Sequence, residues 1–217
     1  MVKSLDSLAR TGRGLQARSL RKAGGAGKRL PYLLFFTDPL RTPRPRDVIA
    51  RLPRGSGVVF RAFGAADAIV QGRKLATLAR RRGVAFFVGA DVGLAIALNA
   101  DGVHLPERLT GRAGGCRALR RRFWLTAAAH SLPAILKAER AGVDALVVSP
   151  VFASQSPSAG RPLGVLAFAR LVRGAASPVY ALGGVNAGSA RRLTTSGAHG
   201  LAAVEGLMEG VGDGHRR

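Results

Sequence analysis

Two adjacent glycines follow a short apolar run late in the chain, in a place where backbone groups could meet a ligand. The run at 179–182 is too short for a helix and suits a buried strand, and Gly183 and Gly184 come directly after it. Because glycine has no Cβ, the backbone N–H groups of such a pair can approach an anion closely. The pattern predicts a phosphate-binding loop, and a plain turn without a ligand is the alternative.

Two histidines offer acid–base chemistry. His130 follows the apolar run at 123–127, so it would stand at the carboxyl end of a strand, where barrel enzymes hold their reactive groups. A structural role for this side chain is an equally open alternative. His104 lies inside another apolar run, and we interpret it as a hydrogen-bonded core histidine.

Composition limits the classes of partner and of chemistry. The 217 residues include 34 Lys and Arg against 12 Asp and Glu, for a net charge of +22, which favours anionic partners such as phosphorylated metabolites or nucleic acid. The basic residues are scattered along the chain and no nucleic-acid-binding motif accompanies them, so a nucleic-acid partner is not expected. The single cysteine, Cys116, excludes an internal disulfide and a cysteine metal cluster, and it indicates a cytoplasmic protein.

Both chain ends are predicted to lie outside the main domain. Residues 1–30 are rich in Lys and Arg and carry one acid, Asp6, so we expect a mobile basic extension with a short helix over 4–21. A transit peptide and a mistaken start codon are alternatives for this segment. Residues 211–217 are expected to form a tail.

Between these ends, eight short apolar runs alternate with candidate helices. The runs lie at 32–37, 57–61, 84–88, 102–105, 123–127, 144–148, 179–182 and 200–204. Such alternation predicts a parallel sheet, and eight units within 31–210 predict a single (β/α)8 barrel. A doubly wound open sheet is the alternative, but it would need a glycine-rich fingerprint after the first strand, where Thr37, Asp38 and Pro39 stand instead.

Motifs at the ends of these strands resemble those of thiamin phosphate synthases and their relatives, the thiazole tautomerases. They are ADGVHL at 100–105, AHS at 129–131, SPVFASQS at 149–156, GRPLG at 160–164, ALGGV at 181–185 and GLAAV at 200–204. The resemblance runs from about Tyr32 to Leu207. It implies a barrel enzyme that joins a pyrimidine pyrophosphate to a thiazole phosphate, with Mg²⁺ assisting the departure of pyrophosphate.

The resemblance also implies two anion sites, and the one for thiazole phosphate is largely retained. Gly183 and Gly184 would supply backbone N–H groups to the phosphate. Ser154 and Ser156 stand where the family has two threonines, and each keeps its hydroxyl donor. Glu205 replaces a serine of the eighth strand and would bring a carboxylate near the phosphate.

The second site, for pyrophosphate and Mg²⁺, keeps Arg61 but has lost most of its other polar groups. The family's lysine, asparagine, aspartate, second acid, serine and second lysine are replaced here by Phe63, Gly89, Ala90, Leu109, Ala128 and Pro157. Arg61 and His130 are therefore the candidate catalytic residues. The histidine that the tautomerases carry before their sixth-strand Val-Phe is Pro150 in this chain, so their acid–base mechanism does not carry over.

No tightly bound cofactor is expected, and Mg²⁺ is an alternative for which Asp91 and Glu107 are the candidate ligands. Asp91 is otherwise a helix N-cap, and Glu107 a solvated loop acid. The predicted function is synthesis of thiamin phosphate with atypical or reduced activity, acting on small phosphorylated metabolites. A non-catalytic or tautomerase-like binder of a thiazole phosphate is the alternative, followed by a basic nucleic-acid-associated protein; assembly into a homo-oligomer is left open.

Overall fold

Eight parallel strands close into a barrel in the computed structural model, which describes residues 3–22, 30–156 and 160–208. The strands are β1 (Leu33–Phe36), β2 (Gly57–Phe60), β3 (Ala85–Gly89), β4 (Gly102–Leu105), β5 (Trp124–Ala128), β6 (Ala145–Val148), β7 (Val179–Ala181) and β8 (Gly200–Ala203). Each strand pairs with its neighbours in sequence, and β8 closes on β1, with Leu34 opposite Ala202. The predicted (β/α)8 barrel is confirmed, and the open-sheet alternative is wrong.

The strands are apolar on both faces because each contributes to two cores. Side chains such as Phe36, Phe87 and Tyr180 fill the barrel interior. Neighbours of opposite orientation, such as Phe35 and Phe86, pack outward against the helices. This double burial explains why the sequence shows continuous apolar runs instead of alternation.

The helices surround this barrel. They are α1 (Lys3–Lys22), α2 (Pro45–Arg51), α3 (Ala68–Arg82), α4 (Val92–Ala97), α5 (Ala113–Leu119), α6 (Leu132–Arg140), α7 (Gly164–Gly174) and α8 (Ala187–Ala190), with 3-10 turns at Glu107–Arg112, Arg191–Leu193 and Glu205–Leu207. Between β4 and β5 the chain forms a 3-10 turn followed by the short α5, and no long helix. Glycines at 111, 114 and 115 lower helix stability there. In the described parts of the chain, no helix is both long and apolar enough to cross a membrane.

Helix α1 differs from the mobile extension that its basic sequence predicts. The helix is long, and Leu8 and Leu15 on one of its faces are 0% and 1% exposed, because both join the core between barrel and helices. They stand seven positions apart, which places both leucines on the same side of a helix. The arginines of this helix lie on its outer side. Because they dominate its composition, the apolar face is hard to recognise from the sequence.

Helix α1 packs at the amino-terminal end of the barrel. Gln16 Nε2 donates a hydrogen bond to the carbonyl of Leu30, at 2.5 Å, just before β1. A Cβ at Gly12 would lie 2.8 Å from the carbonyl oxygen of Tyr32, so helix and strand approach more closely there than a larger residue allows. Residues 23–29 of the expected extension, and the expected tail at 211–217, lie outside the described residues.

Candidate functional site

A cavity of about 1290 Å³ opens at the carboxyl ends of the strands. Loops after all eight strands contribute to its walls, as barrel topology requires. Its lining includes Arg61, Asp91, His130, Ser154, Ser156, Gly183, Gly184 and Glu205. The fold therefore brings together all the sequence-predicted site residues except Glu107, and their roles stay predictions.

Close packing of two loops explains the glycine pair. Gly183 and Gly184 have φ values of 92° and 62°, in the left-handed region that favours glycine. A Cβ at Gly183 would lie 2.7 Å from Pro150 Cα, and one at Gly184 would lie 2.3 Å from the carbonyl oxygen of Ala153. A hydrogen bond joins the loop after β6 to this segment: the Phe152 N–H donates to the Gly183 carbonyl at 3.0 Å.

The same segment presents backbone donors to the cavity. Gly183, Gly184 and Val185 all line it, and their N–H groups donate no hydrogen bond to another described residue. Ser189 fixes the turn from behind, because its hydroxyl donates to the Gly184 carbonyl at 2.8 Å and accepts from the Asn186 N–H at 2.9 Å. The turn is thus a preformed cluster of N–H donors of the kind that binds phosphate.

The two serines lie on the neighbouring loop. Ser154 Oγ accepts a 3.3 Å hydrogen bond from the Ser156 N–H, which holds the loop in a tight turn, and both residues are half-buried. Arg161 lines the same side of the cavity and is exposed. Pro157, at the family's second lysine position, lies outside the described residues.

Arg61 is held rigidly at the opposite side. Its Nε donates to the Thr37 carbonyl at 2.7 Å, and one terminal nitrogen lies 3.3 Å from Asp38 Oδ2. Its guanidinium carbon lies 5.6 Å from the ring centre of Phe36 and 5.1 Å from that of Phe63. Burial lowers the pKa of Arg61 to about 10, with Asp38 opposing the shift and Arg41 adding to it, so the group remains a cation at neutral pH.

A chain of charges across the mouth, running from Asp38 through Arg41 to Glu205, was missed by sequence reasoning. Asp38 Oδ2 lies 2.9 Å from a terminal nitrogen of Arg41, whose other terminal nitrogen lies 3.9 Å from Glu205 Oε1. Burial alone would raise the pKa of Asp38, but the hydrogen bonds and charge of Arg41 hold it below its ordinary value. Sequence spacing could not reveal the contact between Arg41 and Glu205, because it depends on closure of β8 against β1.

One ring nitrogen of His130, Nδ1, forms a hydrogen bond, and the other, Nε2, forms none with a described residue. Its Nδ1 lies 2.6 Å from the carbonyl oxygen of Ser149, and since a carbonyl only accepts, Nδ1 carries the proton. In the neutral ring, Nε2 is then the acceptor. The backbone N–H of His130 donates to Glu107 Oε2 at 2.9 Å, which fixes the start of this loop.

His104 lies at the floor of the cavity and is confirmed as a hydrogen-bonded core histidine. Its Nδ1 lies 3.0 Å from Thr126 Oγ1, and its ring meets Phe36 edge to face at 4.9 Å. Burial lowers the pKa of His104 to about 3, and the charges of Arg61 and His130 add to the shift. The imidazole is therefore neutral at neutral pH.

The residues present do not fit a magnesium site. Asp91 Oδ1 accepts the Leu94 N–H at 2.8 Å, which makes it the N-cap of α4. Glu107 borders a separate hollow beside α6, and its carboxylate is bonded to the loop of His130. Within residues 3–22, 30–156 and 160–208, no three His, Cys, Asp or Glu side chains gather where they could hold a metal ion.

The part of the cavity where the resemblance places pyrophosphate is lined mainly by apolar residues. Its lining includes Ala62, Phe63, Ala65, Ala66, Ala68, Ile69, Gly89, Ala90 and Leu94. Phe63 and Ala90 have φ values of 48° and 66°, which non-glycine residues rarely adopt. Residues of this type offer a polyanion no hydrogen bond beyond the backbone. Cationic side chains that line the cavity include Arg41, Arg61 and Arg108.

Comparison with known proteins agrees with the fold and with the motifs. The family model described as thiamine monophosphate synthase matches residues 50–207. A thiamine-phosphate synthase of Chloroflexus aurantiacus is 34% identical over 146 residues, which are 64% of this chain and 65% of that protein. One from Pyrococcus furiosus is 31% identical over 63% of this chain and 66% of its own length. The chain thus spans just under two thirds of each of these relatives.

Two further similarities extend over more of the chain. A thiamine-phosphate synthase of Geobacillus kaustophilus is 28% identical over 87% of this chain and 89% of its own length. The solved structure of thiamine phosphate pyrophosphorylase from Pyrococcus furiosus superimposes with a TM-score of 0.70 at 27% identity, and it covers 81% of this chain and 86% of that one. With the family model matching most of its length, the chain belongs to the thiamine monophosphate synthase family.

Proposed function

We propose that the protein binds a thiazole phosphate at the turn of Gly183 and Gly184 and condenses it, slowly, with a pyrimidine pyrophosphate. The observation that carries this proposal is the cluster of N–H donors at 183–185, which faces the cavity without partners among the described residues. Hydroxyls of Ser154 and Ser156 on the adjoining loop would complete the phosphate site.

The condensation breaks the C–O bond to pyrophosphate and forms a C–N bond from the thiazole nitrogen to the pyrimidine methylene carbon. The leaving group carries the developing negative charge, so its stabilisation is the main electrostatic demand of the step. Arg61 is placed to meet part of that demand, because burial and its fixed hydrogen bonds hold it in one geometry. Phe63, Gly89 and Ala90 offer no side-chain help, and this is why we expect reduced activity.

A non-catalytic or tautomerase-like binder of a thiazole phosphate is the second candidate. The apolar wall in place of the pyrophosphate site favours it, since it leaves the thiazole half intact. For either function we propose a cytoplasmic location, in agreement with the single cysteine. The proposed ligands are small phosphorylated metabolites. Assembly into a homo-oligomer stays a prediction.

Formation of thiamin phosphate from the two substrates, followed by chromatography, separates these candidates. Measurable turnover supports the synthase, and thiazole phosphate binding without turnover supports the binder. Gly184→Ala should weaken thiazole phosphate binding at least about tenfold, since the new Cβ would meet the Ala153 carbonyl at 2.3 Å. Gly188→Ala is the matched control, because the nearest atom to its Cβ is 3.4 Å away. Equal affinity of both variants and the wild type would contradict the assigned phosphate site.

A further inference from the structure

Basic side chains that are scattered in the sequence converge on one face of the folded protein. In a (β/α)8 barrel every helix ends at the face opposite the active-site mouth, where the chain enters the next strand. Seven arginines lie along that face between the end of α2 and the start of β5, and we name them the arginine arc. They are Arg54, Arg80, Arg81, Arg82, Arg120, Arg121 and Arg122.

Direct contacts show that the arc is continuous. The Gly55 N–H donates to the Gly83 carbonyl at 3.0 Å, which joins the loop of Arg54 to the end of α3. The Arg54 side chain lies over that end, with Nε 3.2 Å from the position of a Cβ on Gly83. The loops before β2 and β3 therefore present Arg54 and the run at 80–82 side by side.

The arc continues through the end of α4. A terminal nitrogen of Arg80 donates to the Leu98 carbonyl at 3.1 Å, and one of Arg120 donates to Asn99 Oδ1 at 2.5 Å. These two bonds join the ends of α3 and α5 across a single short loop. On the other side, α1 adds another exposed arginine, because Arg13 donates to the Tyr32 hydroxyl at 3.1 Å, and this hydroxyl donates to the Arg54 carbonyl at 3.2 Å.

Acids do not balance this charge. In the loops that lead into β2–β8, the acids are Asp101 and Asp144. Asp101 Oδ2 accepts the Phe86 N–H at 2.8 Å, and Asp144 pairs with Arg117 at 2.9 Å. No arginine of the arc forms an ion pair with an acid in the described part of the chain. Basic side chains in the last turn of α3 are expected, because positive charge there interacts favourably with the helix dipole. This reason does not apply to Arg54 and Arg122, which lie outside helices.

We propose that the arginine arc binds the phosphate backbone of double-stranded nucleic acid without reading its sequence. Arginine suits this role because its planar guanidinium pairs with phosphate through two parallel hydrogen bonds. Single strands are usually held by stacking on exposed aromatic rings. The one strongly exposed aromatic side chain among the described residues is Phe63, at the mouth on the opposite face.

The arc favours nucleic acid over a membrane surface. Stable membrane binding by a folded face needs apolar side chains that enter the lipid, in addition to positive charge. Leu119, 68% exposed, is the large apolar side chain beside Arg120–Arg122. A row of mostly exposed arginines with a single such residue suits the phosphates of a duplex instead.

Fluorescence anisotropy with a short labelled DNA duplex over a range of NaCl concentrations tests the proposal. The arc variant replaces Arg81, Arg82, Arg121 and Arg122 with Gln, and the control variant replaces Arg46, Arg73, Lys74 and Arg170 with Gln. All eight side chains are exposed and make no side-chain hydrogen bond to a described residue, so both variants should fold and both lose four charges.

The arc variant should bind the duplex at least about tenfold more weakly than the wild type, and the slope of log affinity against log salt should fall by about three to four, at about 0.9 for each lost phosphate contact. The control variant should retain most of the affinity and slope. Equal weakening of both variants would overturn the proposal, because net charge alone would then explain binding. A second outcome would also overturn it. If the arc variant binds the duplex as the wild type does but is no longer retained on phosphatidylserine vesicles, the partner of the arc is a membrane.

Discussion

Truncation of the buried leucines of α1 tests whether this helix is part of the barrel. Leu8 and Leu15 are 0% and 1% exposed and lie in the core between barrel and helices. Replacing such a leucine with alanine removes its buried methyl groups and leaves a cavity, which costs about 2–5 kcal/mol. For a chain of this length each kcal/mol lowers Tm by about 2–4 °C, so each variant should lose roughly 4–20 °C.

The measurement is thermal unfolding followed by circular dichroism or calorimetry, on Leu8→Ala and Leu15→Ala separately. Leu166→Ala in α7 is the matched control, since that side chain is 81% exposed and its loss should change stability by about 0.5 kcal/mol or less. If Leu8→Ala and Leu15→Ala unfold within a degree or two of Leu166→Ala, α1 does not pack as described and residues 1–30 are dispensable.

Three further perturbations probe the site and its pH response. His130→Ala should abolish condensation while leaving Tm and thiazole phosphate affinity unchanged, because the ring is exposed and bonded only through Nδ1; unfolding with unchanged turnover per folded molecule would make the residue structural. Ala90→Asp should add Mg²⁺-dependent pyrophosphate binding, measured by calorimetry, since Asp tolerates the φ of 66° and supplies a carboxylate; a variant that is indifferent to Mg²⁺ would argue against that position. Burial lowers the pKa of His199 to about 4 from an ordinary value of 6.5, so the unfolded chain binds more protons between these values and Tm should fall as pH drops through that window; an equally steep fall in His199→Gln would exclude this histidine as a cause.

The barrel could be predicted because its local signals are strong and agree with one another. Runs such as 57–61 and 144–148 are apolar without alternation, as strands buried on both faces must be, and Gly83 ends α3 with the left-handed φ of 65° that its position indicates. Helix α1 was missed as a packed element because only a few apolar side chains, Leu8 and Leu15 foremost, face the core. Its average composition is therefore that of a solvated segment.

Parts of the site that come from one motif could be predicted from the sequence. Parts that form where separate loops meet could not. Gly183 and Gly184 stand directly after their strand, so their place at the mouth followed from the fold. The pairing of Arg41 with Asp38 and Glu205 needed the closed barrel, and so did the joining of Arg54, Arg80 and Arg120 into one face. Contacts of this kind depend on loop conformations that residue spacing does not specify.

Calorimetric titration with thiazole phosphate and with pyrimidine pyrophosphate, each with and without Mg²⁺, tests the central claim that one anion site survives and the other has been lost. Each missing charge-assisted contact is worth about 1.5–3 kcal/mol, so the absence of even two weakens binding by roughly a hundredfold or more. We expect thiazole phosphate to bind at least about tenfold more tightly than pyrimidine pyrophosphate, with little effect of Mg²⁺. Strong pyrophosphate binding that requires Mg²⁺ would contradict the account, and would show that Asp91 or Glu107 leaves its hydrogen bond to ligate the metal.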